Sequence, residues 1–183
     1  MRELLTYNQI PFDDNSGSPR LLDFTLYYGD VAVYVEVKEK RQPTKMGNWP
    51  SVSIPKQHVF ILDELTARKM LLDAQHSCLI LRDNTTGRYV FFSALELWTM
   101  PKLRVNRRVS DSTLKGKWML DMRNGAVSDS LVGAYTAMIR YLKRRDRLFF
   151  AAQCVRQFVG EVIEEGGEYR SDALHAYDYS VTR

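Results

Sequence analysis

Leu21 to Arg41 reads LLDFTLYYGDVAVYVEVKEKR, and the fold follows from how this stretch is read. Two runs rich in Val, Tyr, Phe and Leu flank Gly29-Asp30, which predicts a β-hairpin with a tight turn. Successive strand residues face opposite sides of a sheet. In the first run Leu22, Phe24 and Leu26 share one face, and Asp23 and Thr25 share the other. In the second, Val33, Val35 and Val37 form an apolar face, with Tyr34, Glu36 and Lys38 opposite. The hairpin thus gathers an aspartate, a glutamate and a lysine on one side and apolar residues on the other. Two close carboxylates repel unless a cation or a proton lies between them. A lysine beside them can neutralise part of that charge, or act on a substrate.

On the N-terminal side, Met1–Asn8 reads as one or two helical turns, Ile10-Pro11-Phe12 as a stub of edge strand, and residues 13–20 as a polar loop. On the C-terminal side, the stretch after the hairpin is rich in Lys, Pro and Gly and carries Trp49, without periodicity. A loop of that length is usually functional or mobile. Its cations, Lys38, Lys40, Arg41, Lys45 and Lys56, suffice to neutralise several phosphates. An ordinary solvated loop with Trp49 packed on the core is the alternative. Residues 58–62 predict a short buried strand, then Asp63 caps a helix over 64–75. Residues 77–82 and 88–97 predict two further strands, separated by turn residues Asp83 to Gly87.

The second half is less periodic. Residues 98–118 hold a basic cluster of Lys102, Arg104, Arg107 and Arg108, and Trp118–Met122 predict a short strand. Ser128 or Asp129 opens a helical region ending near Glu165, with Leu131, Tyr135, Met138, Leu142, Val155, Phe158 and Val162 apolar. Arg140, Lys143, Arg144 and Arg147 share one face of that helix, which either contacts phosphates or is simply solvated. At 183 residues the chain suits one domain. The net charge of +4 permits a nucleic-acid partner without demanding one. No apolar run approaches the ~18 residues that span a bilayer. The two cysteines, Cys78 and Cys154, lack metal-ligand spacing and read as buried thiols of a reducing compartment, so the cytoplasm is expected. No P-loop, no G-x-G-x-x-G and no G-x-S-x-G is present, and His58, His76 and His175 lie far apart.

Asp23, followed on the next strand by Glu36-Val37-Lys38, resembles the signature of the PD-(D/E)XK nuclease superfamily, which includes restriction endonucleases, Holliday-junction resolvases and phage exonucleases. Leu22 stands where the family often has proline. The resemblance covers roughly residues 20–95 as a topology and three residues as chemistry. It implies an α/β (α+β) fold, with a restriction-endonuclease-like mixed β-sheet core flanked by helices and a helical C-terminal extension. Residues 1–100 would form the nuclease-like core, residues 101–165 a basic segment and helices packed on it, and residues 166–183 a polar tail. It implies that Asp23 and Glu36, with the carbonyl of Val37, hold Mg²⁺ or Mn²⁺. Lys38 would orient or deprotonate a water, or stabilise charge developing on phosphorus. Gln57 resembles a polar helper that many members place after the motif. Members often carry an acid on a helix before the sheet, and Glu3 is the candidate here, beside its reading as a solvated surface residue. DNA is the implied substrate, a homodimer stays open, and neither a membrane nor a small-molecule cofactor is expected.

Other classes compete with this reading. Glu and Lys two apart on an exposed strand are common, and an Asp–Lys cross-strand pair is an ordinary sheet contact. A nucleic-acid-binding module without catalysis would bind equally well in EDTA. A structural or assembly protein would show no DNA affinity that falls with salt.

Overall fold

The computed structural model describes residues 1–50, 52–110, 113–148 and 162–165. Expectations for Cys154, Val155, Phe158, His175 and the polar tail fall outside the described residues. The chain enters through a short helix, α1 (Arg2–Tyr7), and an edge strand, β1 (Phe12–Asp14). The hairpin follows as β2 (Phe24–Tyr28) and β3 (Val31–Lys40). Tyr28 pairs with Val31 across Gly29-Asp30, and Gly29 takes φ +60°, as the first central residue of a tight hairpin turn often must. The chain bends at residues 21–23, so Asp23 stands one residue outside β2 rather than within it. That bend also turns Leu22 away from Phe24 and Leu26 into a different hydrophobic cluster.

Next come β4 (Val59–Asp63), α2 (Glu64–Leu72), β5 (Ser77–Asp83) and β6 (Arg88–Ser93). The strand expected to run to Leu97 stops at Ser93, because Ser93 and Glu96 cap one another and start α3 (Ala94–Thr99). The strand expected at Trp118 is the end of a long hairpin, β7 (Lys102–Ser110) and β8 (Thr113–Asp121). A short β9 (Ala126–Ser128) precedes α4 (Leu131–Leu142), and residues 145–148 add a further helical turn. The expected helix does not reach Glu165, since β10 (Val162–Glu165) pairs parallel with β7.

Two mixed sheets result, with strand orders β1-β2-β3-β5-β6-β9 and β10-β7-β8-β4. Parallel pairing of β3 with β5 needs a long crossover, which β4 and α2 supply. On one face of the larger sheet Val33, Val35, Cys78 and Ile80 meet Leu5 of α1 and Met138, Tyr141 and Leu142 of α4. On the other, Leu79, Leu81 and Phe92 meet α2, α3 and the inner side chains of the second sheet, among them Leu62 and Trp118. The outer face of the second sheet is covered in turn by Met46, Trp49, Val52 and Ile54 of the loop after β3. The architecture is a mixed sheet flanked by helices, as expected, with a second sheet added. Among the described residues no helix is long and apolar enough to cross a membrane.

Candidate functional site

The site exists because β3 is twice as long as β2. Their register begins at Phe24–Val35, so residues 36–40 have no partner on that side. Tyr34 N–H donates to the His76 carbonyl at 2.8 Å, and the Lys40 carbonyl accepts from Asn84 N–H at 2.9 Å. Even-numbered residues of β3 therefore aim their backbone groups at β5, and Val37 aims its N–H and carbonyl at the free edge. Asp23 fills that edge. Its Oδ2 accepts the Val37 N–H at 2.9 Å, and its place before Phe24 sets it across from Glu36. Lys69 of α2 donates to the carbonyls of Pro19 and Leu21, which fixes the approach of the chain to Asp23.

Glu36 is buried, with 7% of its side chain exposed, against 25% for Asp23 and 36% for Lys38. Burial raises the Glu36 pKa above its ordinary value, with the nearby Lys38 ammonium pulling the other way. That ammonium contacts Glu36 Oε1 and lies 4.0 Å from Asp23 Oδ2. The three groups thus run from the interior to solvent, with the lysine shared between the acids. They meet as the alternation in the sequence predicts.

Lys40 continues the same face but is no surface cation. It is buried, its Nζ donates to the Gln57 carbonyl at 2.5 Å, and burial lowers its pKa. The expectation that it contacts phosphate is corrected accordingly, since its ammonium is turned inward onto a carbonyl. Gln57 lies in a 3-10 turn (Lys56–His58) with its residue exposed, at the Lys40 end of the face. Arg41, Lys45 and Lys56 are exposed on the loop leaving β3, with Arg41 Nε 3.2 Å from Glu39. Arg140, Lys143, Arg144 and Arg147 are exposed as well, but α4 packs on the sheet face opposite the acids. A turn at 143–144 also breaks the single helix face expected of them. Glu3 is exposed on α1, whose Leu5 joins that same opposite cluster.

Among the described residues no group of three or more His, Cys, Asp or Glu side chains gathers to hold a metal. Two facing carboxylates and an edge carbonyl are nevertheless hard oxygen donors that suit Mg²⁺ or Mn²⁺. Mg²⁺ in particular commonly takes one or two carboxylates and completes its shell with waters and substrate phosphate. Glu36 is already compensated by the Lys38 ammonium, so a metal there would share or replace that contact.

Sequence reading placed Asp83 in a turn, where Thr85 and Thr86 do hold its carboxylate, but missed its buried place beside Lys40. The signal was present, because Lys40 has the same parity as Glu36 and Lys38 and so extends their face.

The chain resembles two nucleases in structure. One is the Holliday junction resolvase Hjc of Archaeoglobus fulgidus, 12% identical, covering 69% of this chain and 94% of that one at a TM-score of 0.39. The other is D212, a nuclease from a fusselovirus, 8% identical, covering 81% of this chain and 86% of that one at a TM-score of 0.43. No family model matches the chain, and no curated protein matches it in sequence.

Proposed function

We propose that the protein is a metal-dependent nuclease that hydrolyses phosphodiester bonds in DNA. The observation that carries this reading is the pairing of Asp23 with buried Glu36 at an unpaired strand edge, with the Lys38 ammonium between them. Asp23, Glu36 and the Val37 carbonyl are the residues that would hold Mg²⁺ or Mn²⁺. When bound, the cation supplies Lewis-acid polarisation of the phosphate and a more acidic water. The chain's own part is positional. Asp23 stays anchored on the Val37 N–H, and Glu36 is held by the strand that carries it. Lys38 is the most exposed of the three, on a long unbranched stem. Its ammonium is the group that would orient the attacking water or face the developing phosphorane charge. Gln57 stands at the end of the same face as a polar contact for the substrate strand, and Arg41, Lys45 and Lys56 flank it as phosphate contacts.

A second reading keeps the fold and binds nucleic acid without cutting it. It is favoured by one observation: Lys38 already neutralises Glu36, as in a structural ion pair. Cleavage of plasmid, branched and single-stranded DNA in Mg²⁺, Mn²⁺ or EDTA separates the two, with Asp23→Asn, Glu36→Gln and Lys38→Ala measured beside thermal melts. The nuclease reading expects metal-dependent cleavage that all three substitutions abolish in folded protein. Undiminished cleavage by Glu36→Gln overturns the site, and an inactive wild type on every substrate puts the binding module ahead.

A further inference from the structure

We propose that a cavity at the far end of the acid-bearing face takes one unstacked nucleobase of the DNA strand. The substrate class rests on the nuclease reading above; the cavity itself rests on separate residues. It measures about 170 Å³ and lies where β5, β6, β9 and the turn before β4 meet. Asp83, Arg88 and Val90 share the sheet face of Glu36 and Lys38, because Lys40 pairs with Asp83, Asp83 with Arg88, and Leu81 with Val90. Lys40 lies four positions beyond Glu36, about 13 Å along β3, and the lining residues stand one to three strands further across the sheet at about 4.8 Å per strand. That is at least roughly four phosphates of a helical DNA strand.

The lining divides into two chemistries. Val90 and Met122 make an apolar floor, Val127 stands half-exposed at the mouth, and Arg88 and Arg123 bring guanidinium groups to the rim beside His58. Asp83 closes the inner end, but its charge is spent within its own turn. Its Oδ1 accepts from the Thr85 N–H at 3.0 Å and the Thr85 hydroxyl at 2.6 Å, and its Oδ2 from the Thr86 hydroxyl at 2.9 Å. The Arg123 guanidinium is held in place by Asp121, at 3.0 Å from Nε and 2.6 Å from Nη2. Among the described residues Arg88 pairs only with Asp129, at 3.2 Å, and the Asp129 side chain is 90% exposed. Exposed pairs of that kind contribute little, so Arg88 can exchange its partner for a phosphate.

An apolar floor with a basic rim matches a ligand that is flat and apolar in one part and anionic in the next. A nucleobase with its own backbone phosphate has that division, and Arg guanidinium planes such as the rim offers are among the surfaces on which unstacked bases are held. Whole drug-sized ligands fill pockets of roughly 300–1,000 Å³, so a smaller cavity suits one ring system. Extruding a base costs least where the base is already unpaired. The site therefore favours strands with an unpaired position a few nucleotides from the cut.

The test uses the full chain and DNA duplexes carrying a single unpaired 2-aminopurine, in EDTA so that binding is read without cleavage. The expected result is a rise in 2-aminopurine emission and protection from acrylamide quenching at one position. Val127→Phe fills the mouth at a half-exposed edge residue, and Arg88→Ala removes the exchangeable cation. Each should abolish the protection and weaken affinity for the bulged duplex about tenfold while melting as wild type does. Absence of protection in the wild type at every position, or protection unchanged in both variants, overturns the proposal. A parallel arm in Mg²⁺ reads cleavage of the same duplexes: cleavage there without protection in EDTA rejects the pocket and keeps the nuclease, and protection in EDTA without cleavage in Mg²⁺ does the reverse.

Discussion

A carboxylate as enclosed as Glu36 keeps its charge only while a cation stays beside it. Burial raises its folded pKa, so the folded protein binds a proton there more tightly than the unfolded chain does. Its contribution to stability is full below the unfolded value, about 4.3, and is lost as pH rises through the higher folded value. In metal-free protein the melting temperature of Glu36→Gln should therefore gain on that of wild type as pH rises from 4 to 7. A difference that ignores pH would remove Glu36 as the burdened acid. Added Mg²⁺ should stabilise the wild type, by about 2.7 kcal/mol at a hundred times its Kd, and leave the variant unmoved. Lys38 gives the complementary case. Its ammonium competes with a metal for both acids, so Lys38→Ala should bind Mn²⁺ as tightly as wild type or more so by calorimetry. The same change should lower the single-turnover cleavage rate by about a hundredfold or more. It should also cost about 1 kcal/mol of metal-free stability, a small figure because Lys38 is partly solvated. Weakened metal binding would instead make Lys38 a structural support of the site.

The β7–β8 hairpin shows at the level of elements why local patterning stops short. Its inward residues include Lys102 and Arg104, which alternation alone assigns to solvent. Both are buried against partners distant in sequence or in the preceding turn. Lys102 Nζ donates to the carbonyls of Trp98 and Met100 at 3.0 and 3.1 Å and lies 5.3 Å from the Trp118 ring centre. Arg104 forks onto Glu64 of α2 at 2.8 and 3.0 Å. The β2–β3 hairpin was legible because its turn and its alternation are local. The start of α3 was legible too, in the Ser93 and Glu96 spacing of a capping box, yet the apolar run over it reads equally as strand. The acids were legible by parity alone, whereas the burial of Lys40 follows from Gln57, a residue seventeen positions away. One glycine tests the inward ion pair. A Cβ on Gly116 would fall 1.6 Å from Glu64 Oε2, inside the space the forked carboxylate occupies. Gly116→Ala should displace it and cost about 2–4 kcal/mol in chemical denaturation. A cost below about 0.5 kcal/mol would show that the pair relaxes freely.

At the scale of the whole molecule, the larger sheet separates two basic surfaces that the sequence leaves equivalent. Arg41, Lys45 and Lys56 lie on the loop that leaves the acid-bearing strand and returns beside Gln57. Arg140, Lys143, Arg144 and Arg147 lie on and just beyond α4, which covers the other face. On the proposed reading, a DNA strand seated on Asp23 and Glu36 would leave past Arg41 at the end of β3 and toward the rest of that loop, and would reach the second set only by turning around the sheet. Removing one cation that pairs with a phosphate should reduce the slope of log affinity against log salt by about 0.9 on duplex DNA. Replacing Arg41, Lys45 and Lys56 by glutamine should therefore shallow the slope by up to roughly 2.7, while the four α4-side replacements leave it as it was. Exposed changes of this type cost within about 0.5 kcal/mol of stability, so both proteins should melt as wild type does and the comparison stays clean. Fluorescence anisotropy in EDTA from 50 to 200 mM salt measures both slopes. An equally shallow slope from the α4-side replacements would place DNA on both faces of the sheet, and a shallower slope from them alone would move the binding surface away from the acids.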